Sequence, residues 1–156
     1  MIIPPTHEAL LRDPMFSFWI GTASPENVPE VIKCMGVNLD YERERMACFA
    51  AVRFADKALD NLQKNPAISL VGAHVGTYQG YQYKGTFIRS RPCTEDEVEF
   101  QRQYMEVFAL TLNGFGYSKD GLYRLYFSQP SLAIEFKVHE VFDQAPRQGT
   151  GEKIVI

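Results

Sequence analysis

The feature that most constrains this sequence is a succession of short strand-like segments separated by turn residues. MFSFWIGTA (15–23) is followed by the turn residues SPENVP and then by EVIKCMGVNL (30–39). After the charged turn DYERE, RMACFAAV spans residues 45–52. Aromatic, β-branched and other apolar residues bounded by Pro, Gly, Asn and Asp are typical of β-strands. Because short turns join antiparallel neighbours, we predict that the second segment is the hairpin partner of the first and that 45–52 is a third strand.

The strand pattern continues through the rest of the chain. AISLVGAHV (67–75) and YQYKGTFIRS (81–90) flank the turn GTYQG, and SLAIEFKV (131–138) and HEVF (139–142) are predicted as two final strands divided near His139. Alternation of apolar and polar residues is only partial, which indicates strands that bury parts of both faces. We therefore predict a mainly β (α+β) fold, a six- to seven-stranded antiparallel barrel with peripheral helices. No repeat or low-complexity linker interrupts residues 1–156, so we predict a single domain.

Three of the predicted helices are identified by their start and stop signals. A short helix spans His7 to Arg12 and ends before a proline. A longer one begins at Thr94, where TEDE forms a predicted capping box with Glu97, and it ends at two glycines. LYRLYF (122–127) suits either a strand or a short helix opened by an aspartate at position 120, and we favour the helix.

The remaining predicted helix lies in RFADKALDNLQKNP, Arg53 to Pro66. Four apolar residues recur at helical spacing, Asp56 is the predicted N-cap, and Asn65 with Pro66 ends the helix. A helix N-terminus presents unpaired N–H groups and a partial positive charge, and Lys57 adds a full charge in what the sequence suggests is the first turn. The segment is therefore either an ordinary packing helix or an anion site.

Composition excludes several classes of function. The formal net charge of −3 gives the chain no general attraction for nucleic acid or an anionic membrane. The N-terminal MIIPPTHEALL lacks the basic start and unbroken apolar run of a signal peptide, and no segment has transmembrane length, so we expect a cytoplasmic protein. Cys34, Cys48 and Cys93 are widely spaced and predicted to be reduced packing residues. The three histidines lie far apart in sequence, and no metal site is predicted.

Several of these phrases together resemble the FMN-binding split-barrel family, the pyridoxamine 5'-phosphate oxidase-like flavoproteins. They are FWIGTASPENVPEVIKCM, DKALDNLQKNPAISLV, YQYKGTF and VFDQAP, which cover roughly residues 10–146. The most specific part is the helix that carries Lys57, followed by Asn61 with its neighbouring leucine, the Asn-Pro stop and an apolar strand. The resemblance implies a split β-barrel that binds FMN.

The resemblance also implies which residues contact the cofactor. It places the FMN phosphate at the helix that begins near Arg53, with Lys57, Asn61 and Arg53 as candidate contacts. It places the isoalloxazine ring beside the backbone of a strand, with further contacts from small residues before the helix and from a later strand. These positions are Val31, Ile32, Lys33, Cys34, Ala51, Val52, Gln82 and Tyr83. Lys33 is a candidate cation for the charge that develops on a reduced flavin. One departure is Asp56 and Ala58, where the family has hydroxyl residues, because a capping Asp56 would occupy the phosphate site.

The function implied is electron or hydride transfer between FMN and an unidentified small molecule, in a homodimer with flavin sites at the interface. The tail from Asp143 onward is expected to lie across the partner subunit. The alternatives are a split barrel with another cofactor, a deazaflavin or a haem held by His74 or His139, and a non-enzymatic binding domain whose flavin site has decayed. No catalytic residue is identified, and fold alone does not fix chemistry.

Overall fold

The computed structural model describes residues 2–155, which form one antiparallel sheet with four helices around it. The elements in chain order are α1 (His7–Arg12), β1 (Phe16–Ala23), β2 (Pro29–Cys34), β3 (Val37–Asp40), β4 (Arg45–Ala51), α2 (Val52–Lys64), β5 (Ala67–His74), β6 (Gly80–Pro92), α3 (Glu95–Gly114), α4 (Lys119–Tyr126) and β7 (Ser131–Asp143). The strand order is β2-β1-β5-β6-β7-β4-β3. The predicted mainly β fold with six to seven antiparallel strands is confirmed, as a sheet that curls without closing.

The sheet does not close into a barrel, because its two edge strands, β2 and β3, do not pair with each other. The sequence predicted one strand over 30–39, but the chain breaks at Met35 and Gly36, so that β2 pairs with β1 and β3 pairs with β4 at the opposite edge. Met35 N–H donates to Phe49 O (2.7 Å), and Phe49 N–H donates to Gly36 O (3.0 Å). Two residues thus oppose one, which bends the strand. Gly36 has φ +137°, a conformation that favours glycine.

The core lies on the concave face of the sheet. Phe16, Phe18 and Ile20 of β1 alternate with less buried residues, and Phe136 and Val138 of β7 face them from across the sheet. This alternation gives β1 one face toward the core and one face toward the outside. The outer face is therefore available to helices or to a ligand.

Three of the four predicted helices are present at or close to their predicted positions. α1 has the predicted bounds, and α3 begins with the predicted capping box of Thr94 and Glu97. The ambiguous segment 122–127 belongs to a helix, α4, although its N-cap is Ser118 rather than the aspartate at 120.

The prediction that Asp56 caps the second helix is wrong. α2 already begins at Val52 with Ala51 as N-cap, no side chain caps it, and its first turn carries no acidic residue. Asp56 lies one turn further on. The predicted end is confirmed, because Asn65 is the C-cap and its N–H donates to Asn61 O.

The predicted division of the last strand near His139 is also wrong, since β7 runs unbroken from Ser131 to Asp143. A register shift nevertheless occurs there, because Lys84 pairs with Glu140 and Gly85 with Val138. His139 is therefore the extra residue of a β-bulge. The polar residues around a bulge resemble those at the end of a strand, which explains why the sequence predicted a division here.

None of the described helices is long and apolar enough to cross a membrane.

Candidate functional site

A shallow groove of about 550 Å³ lies on the outer face of the sheet. We call it the outer groove; it is lined by Gly21, Glu30, Val31, Ser69, Gln82, Lys84 and His139, among others. The strand registers place Val31, Gly21, Ser69, Lys84 and Glu140 in one row across five strands. Residues from β2, β1, β5, β6 and β7 therefore meet at this surface.

The groove is hollow because Gly21 has no side chain at its centre. A Cβ atom at that position would lie 2.7 Å from the Ser69 Oγ. The flanking positions carry Val31 on one side and Ser69 on the other, so a ligand here would meet both an apolar and a hydroxyl surface.

Lys57 reaches toward the groove from α2 and is already paired. Its Nζ lies 2.8 Å from a carboxylate oxygen of Glu30, which lines the groove. Lys57 is the sixth residue of α2, so the expectation that it stands in the first turn is wrong, because the helix begins earlier than Asp56. An anion that uses Lys57 must therefore compete with Glu30.

Arg53 and Val52 at the start of α2 contact the end of α4 and the segment that follows it, not the outer groove. The Arg53 guanidinium donates to the Arg124 carbonyl oxygen (2.9 Å) near the end of α4 and stacks on the Phe54 ring at 4.3 Å. Val52 N–H donates to Pro130 O (3.0 Å). The structure therefore does not bring Arg53 and Lys57 together over one anion.

Lys33 is buried under the helices instead of facing the groove. It is 8% exposed, and its Nζ donates to Ser17 Oγ and to Phe18 O, both at 3.1 Å. The ammonium lies 5.2–5.8 Å from the ring centroids of Trp19, Phe108 and Tyr126. Burial lowers the pKa of Lys33 to about 8, while the aromatic faces favour the charged form. We call this arrangement the Lys33 cage.

The other predicted contacts lie inside the fold. Ile32, Cys34, Ala51, Asn61 and Tyr83 are all buried. The two polar ones have partners: the Asn61 amide donates to Thr22 Oγ1 (3.2 Å), and the Tyr83 hydroxyl is hydrogen-bonded to His7 Nδ1 (2.9 Å). Burial lowers the pKa of His7 to about 4, so the imidazole is neutral near pH 7.

Of the predicted contacts, the outer groove thus gathers Val31 and Gln82, with Lys57 at its side. Sequence reasoning missed Glu30, Gly21 and Ser69 as lining residues. Their position follows from cross-strand register between β2, β1 and β5, and no local motif marks it.

The tail contacts its own chain beside the groove. Gln144 donates to the Gln82 side chain (3.2 Å), and Lys153 pairs with Glu140 at 2.9 Å. Asp143 N–H donates to Glu152 O (3.0 Å). These contacts tie the tail to β6 and β7 of its own chain, and its expected position across a partner subunit stays a prediction.

The two histidines considered for haem have different surroundings. His74 Nδ1 accepts backbone hydrogen bonds from Gly76 and Thr77 (3.1 and 3.0 Å), so it holds a turn together. His139 lines the groove and is hydrogen-bonded to Thr86 at 2.9 Å. Across residues 2–155, no group of three or more His, Cys, Asp and Glu side chains is placed to hold a metal ion.

Comparison with known proteins gives similarity of fold. No family model matches the sequence, and no curated protein matches it. Among solved structures, HupZ of Group A Streptococcus superimposes with a TM-score of 0.57 at 12% identity, covering 96% of this chain and 98% of that one. An F420 reductase gives 0.54 at 16% identity, covering 89% and 98%. A pyridoxamine 5'-phosphate oxidase-related, FMN-binding protein from Nostoc punctiforme gives 0.51 at 12%, covering 90% and 84%.

A fourth solved structure also shares the fold. A Clostridium acetobutylicum protein related to general stress protein 26, of the pyridoxine phosphate oxidase family, gives a TM-score of 0.53 at 13% identity and covers 99% of this chain and 97% of that one. At such low sequence identity, similarity over nearly the whole length shows that the folds are alike. The chain therefore shares its fold with solved structures that include a pyridoxamine 5'-phosphate oxidase-related, FMN-binding protein and an F420 reductase.

Proposed function

We propose that the outer groove binds a flavin-type cofactor, FMN, and that the protein uses it as an oxidoreductase acting on a small molecule. The observation that carries this proposal is that Val31 and Gln82, inferred as flavin contacts from the family resemblance, line one cavity, and that Lys57 pairs with Glu30 on its wall. Its volume of about 550 Å³ lies in the range of cofactor sites, roughly 300–1,000 Å³. The fold supports it too, since an FMN-binding protein and an F420 reductase share this architecture.

The residues around the groove fit a flavin in two respects. β2 is an edge strand, so half of its backbone N–H and C=O groups point away from β1 and suit the polar edge of a pyrimidine ring. Ser69 and Gln82 add side-chain hydrogen-bonding groups on the groove floor. A bound flavin would supply the hydride and electron chemistry, and the protein would set its orientation and access.

The phosphate contact depends on Lys57 and Glu30. Lys57 is largely exposed, so its ammonium can turn from the Glu30 carboxylate to a phosphate without a change in the fold. Asp56 does not cap α2, so its carboxylate does not occupy the N–H groups of the first turn. Glu30 then competes with the phosphate and lowers the affinity for FMN relative to a site that lacks this carboxylate.

A homodimer is part of the proposal. Val31 is 58% exposed and Val28 52% exposed beside the groove. Apolar side chains on an open groove favour a covering partner, and a second copy would shield the bound ring from water. Without a second copy, a groove on the outer face of the sheet would be too shallow to enclose a cofactor.

A deazaflavin is the second candidate cofactor. The structure of an F420 reductase is among those that share the fold. Competition between the two cofactors for the same purified protein distinguishes them.

The test is a titration of the protein with FMN and, separately, with riboflavin, which lacks the phosphate. Lys57→Ala should weaken FMN at least tenfold and leave riboflavin unchanged, whereas Glu30→Gln should strengthen FMN. Lys64→Ala is the matched control, because Lys64 lies on the same helix in a similar exposed ion pair with Asp60 (2.7 Å). Equal FMN affinity in the Lys57 and Lys64 variants would contradict the phosphate assignment.

A further inference from the structure

We propose that Lys84, Lys137 and His139 form a second anion site, on the β6–β7 side of the outer groove, which binds a small molecule through a phosphate or carboxylate group. Lys84 and His139 line the groove, and all three side chains are exposed. In the strand register Lys84 lies opposite Glu140, and Lys137 lies opposite Thr86. The pairing of β6 with β7 therefore gathers the three residues on the outer face. We call them the β6–β7 site.

The spacing of the two strands allows both ammonium groups to reach one anion. Lys84 and Thr86 lie on the same face of β6, about 7 Å apart along the strand, and Lys137 lies beside Thr86 on β7, about 5 Å away. The Cα atoms of the two lysines are therefore about 8 Å apart. Each lysine carries its charge on a flexible four-carbon stem, so the two charges can converge on one phosphate or carboxylate group.

Two contacts orient the side chains that line the groove. The Lys84 ammonium lies 4.4 Å from the centroid of the Phe142 ring. The His139 Nε2 lies 2.9 Å from the Thr86 Oγ1, which leaves Nδ1 available to a ligand. His139 is the extra residue of the β-bulge, and bulges redirect side chains beside functional sites. The bulge therefore adds an imidazole to the face that carries the two lysines.

The acidic residues of β7 beside the site are paired with other cations. Glu140 pairs with Lys153 at 2.9 Å, and Glu135 pairs with two arginines of β6 at 2.8 and 2.7 Å. Within residues 2–155, neither lysine of the β6–β7 site has a carboxylate partner of its own. With His139 neutral, these two lysines, Lys153 and Glu140 carry three positive charges and one negative charge. The local excess of positive charge attracts an anion.

The β6–β7 site is separate from the phosphate contact proposed above. Lys57 pairs with Glu30 on β2, and β2 lies three strands from β6 in the sheet order. At about 4.8 Å for each strand, roughly 14 Å separates the two positions. One anionic group therefore cannot contact both Lys57 and Lys84. If the groove binds a flavin as proposed, the β6–β7 site would hold an anionic substrate; this last step rests on the proposed function, whereas the anion site does not.

The test is a titration of the full-length protein, as purified, with inorganic phosphate and separately with succinate at low ionic strength. We expect saturable binding of at least one probe, with NMR shift changes in the amides of β6 and β7 and in the His139 ring. Lys84→Met and Lys137→Met should each weaken binding about fivefold, which is typical of an exposed ion pair. Glu140→Gln should strengthen binding, because it removes the negative charge beside Lys84. The probe that binds more tightly identifies the anionic group.

Two variants control for the loss of charge and for the other site. Lys119→Met removes the same charge from the start of α4, outside the groove lining, and should leave binding unchanged. Lys57→Ala should also leave phosphate binding unchanged, while the FMN titration tests the proposed function independently. The β6–β7 site is refuted if neither probe saturates or if Lys119→Met weakens binding as much as Lys84→Met. Phosphate binding that is lost in Lys57→Ala and kept in Lys84→Met would refute it as well.

Discussion

The Lys33 cage makes a quantitative prediction about how stability depends on pH. Lys33 is the buried ammonium with no carboxylate among its hydrogen-bond partners, which are Ser17 Oγ and Phe18 O. Burial lowers its pKa from 10.5 to about 8 in the folded protein. Between these two values the unfolded chain binds a proton that the folded chain does not, so the free energy of unfolding rises with pH.

The size of the effect follows from the pKa difference. Each pKa unit corresponds to about 1.4 kcal/mol, so the full difference amounts to about 3 kcal/mol. This stabilising contribution is complete above the unfolded pKa of 10.5 and is lost as the pH falls through about 8. The wild-type protein should therefore gain stability relative to Lys33→Met, which keeps the apolar stem, as the pH rises from 7 to 10.

The assay is urea unfolding of both proteins at several pH values in this range. Other titrating groups cancel in the difference between wild type and variant, which isolates Lys33. Lys64→Met is the control, because Lys64 is exposed on α2 and its difference from wild type should stay flat. A flat difference for Lys33→Met as well would refute the reasoning, since it would mean that the three aromatic rings compensate fully for burial.

Three further predictions concern other parts of the fold. Thr94→Ala removes the side chain that accepts from Glu97 N–H and should lower the free energy of unfolding by about 1 kcal/mol, measured by urea unfolding. His7, whose pKa is lowered to about 4, gives a stability that is complete above pH 6.5 and is lost as the pH falls through 4; His7→Phe should reduce this acid sensitivity in thermal unfolding. Gly85→Ala places a Cβ 2.0 Å from the Lys137 carbonyl oxygen, so we expect a loss of at least about 2 kcal/mol or failure to fold, with Gly114→Ala, where the space is open, as the control.

Local signals explain why some elements were predicted well. The capping box at Thr94 and the Asn-Pro end of α2 are each decided within a few residues, and both are present in the structure. The N-cap of α2 was predicted five residues too late, because an apolar Val52 and an uncharged cap at Ala51 give no side-chain signal. Asp56 is a favourable N-cap residue, so the sequence pattern predicted the start of the helix there.

Long-range pairing explains most of what the sequence did not reveal. The break between β2 and β3 depends on hydrogen bonds to Phe49, which is distant in sequence. Lys33 seemed a candidate for the flavin because its enclosing rings, Phe108 and Tyr126, are distant in sequence. Similarly, the pairing of Lys57 with Glu30 joins a helix to a strand that is not adjacent in the chain.

The most direct measurement is the visible absorption spectrum of the freshly purified protein, followed by titration with FMN if the protein is colourless. The account predicts a flavin spectrum or saturable FMN binding, with FMN released on denaturation, and weaker binding in Lys57→Ala. A colourless protein that does not bind FMN at any concentration tested would contradict the assignment of the outer groove as a flavin site.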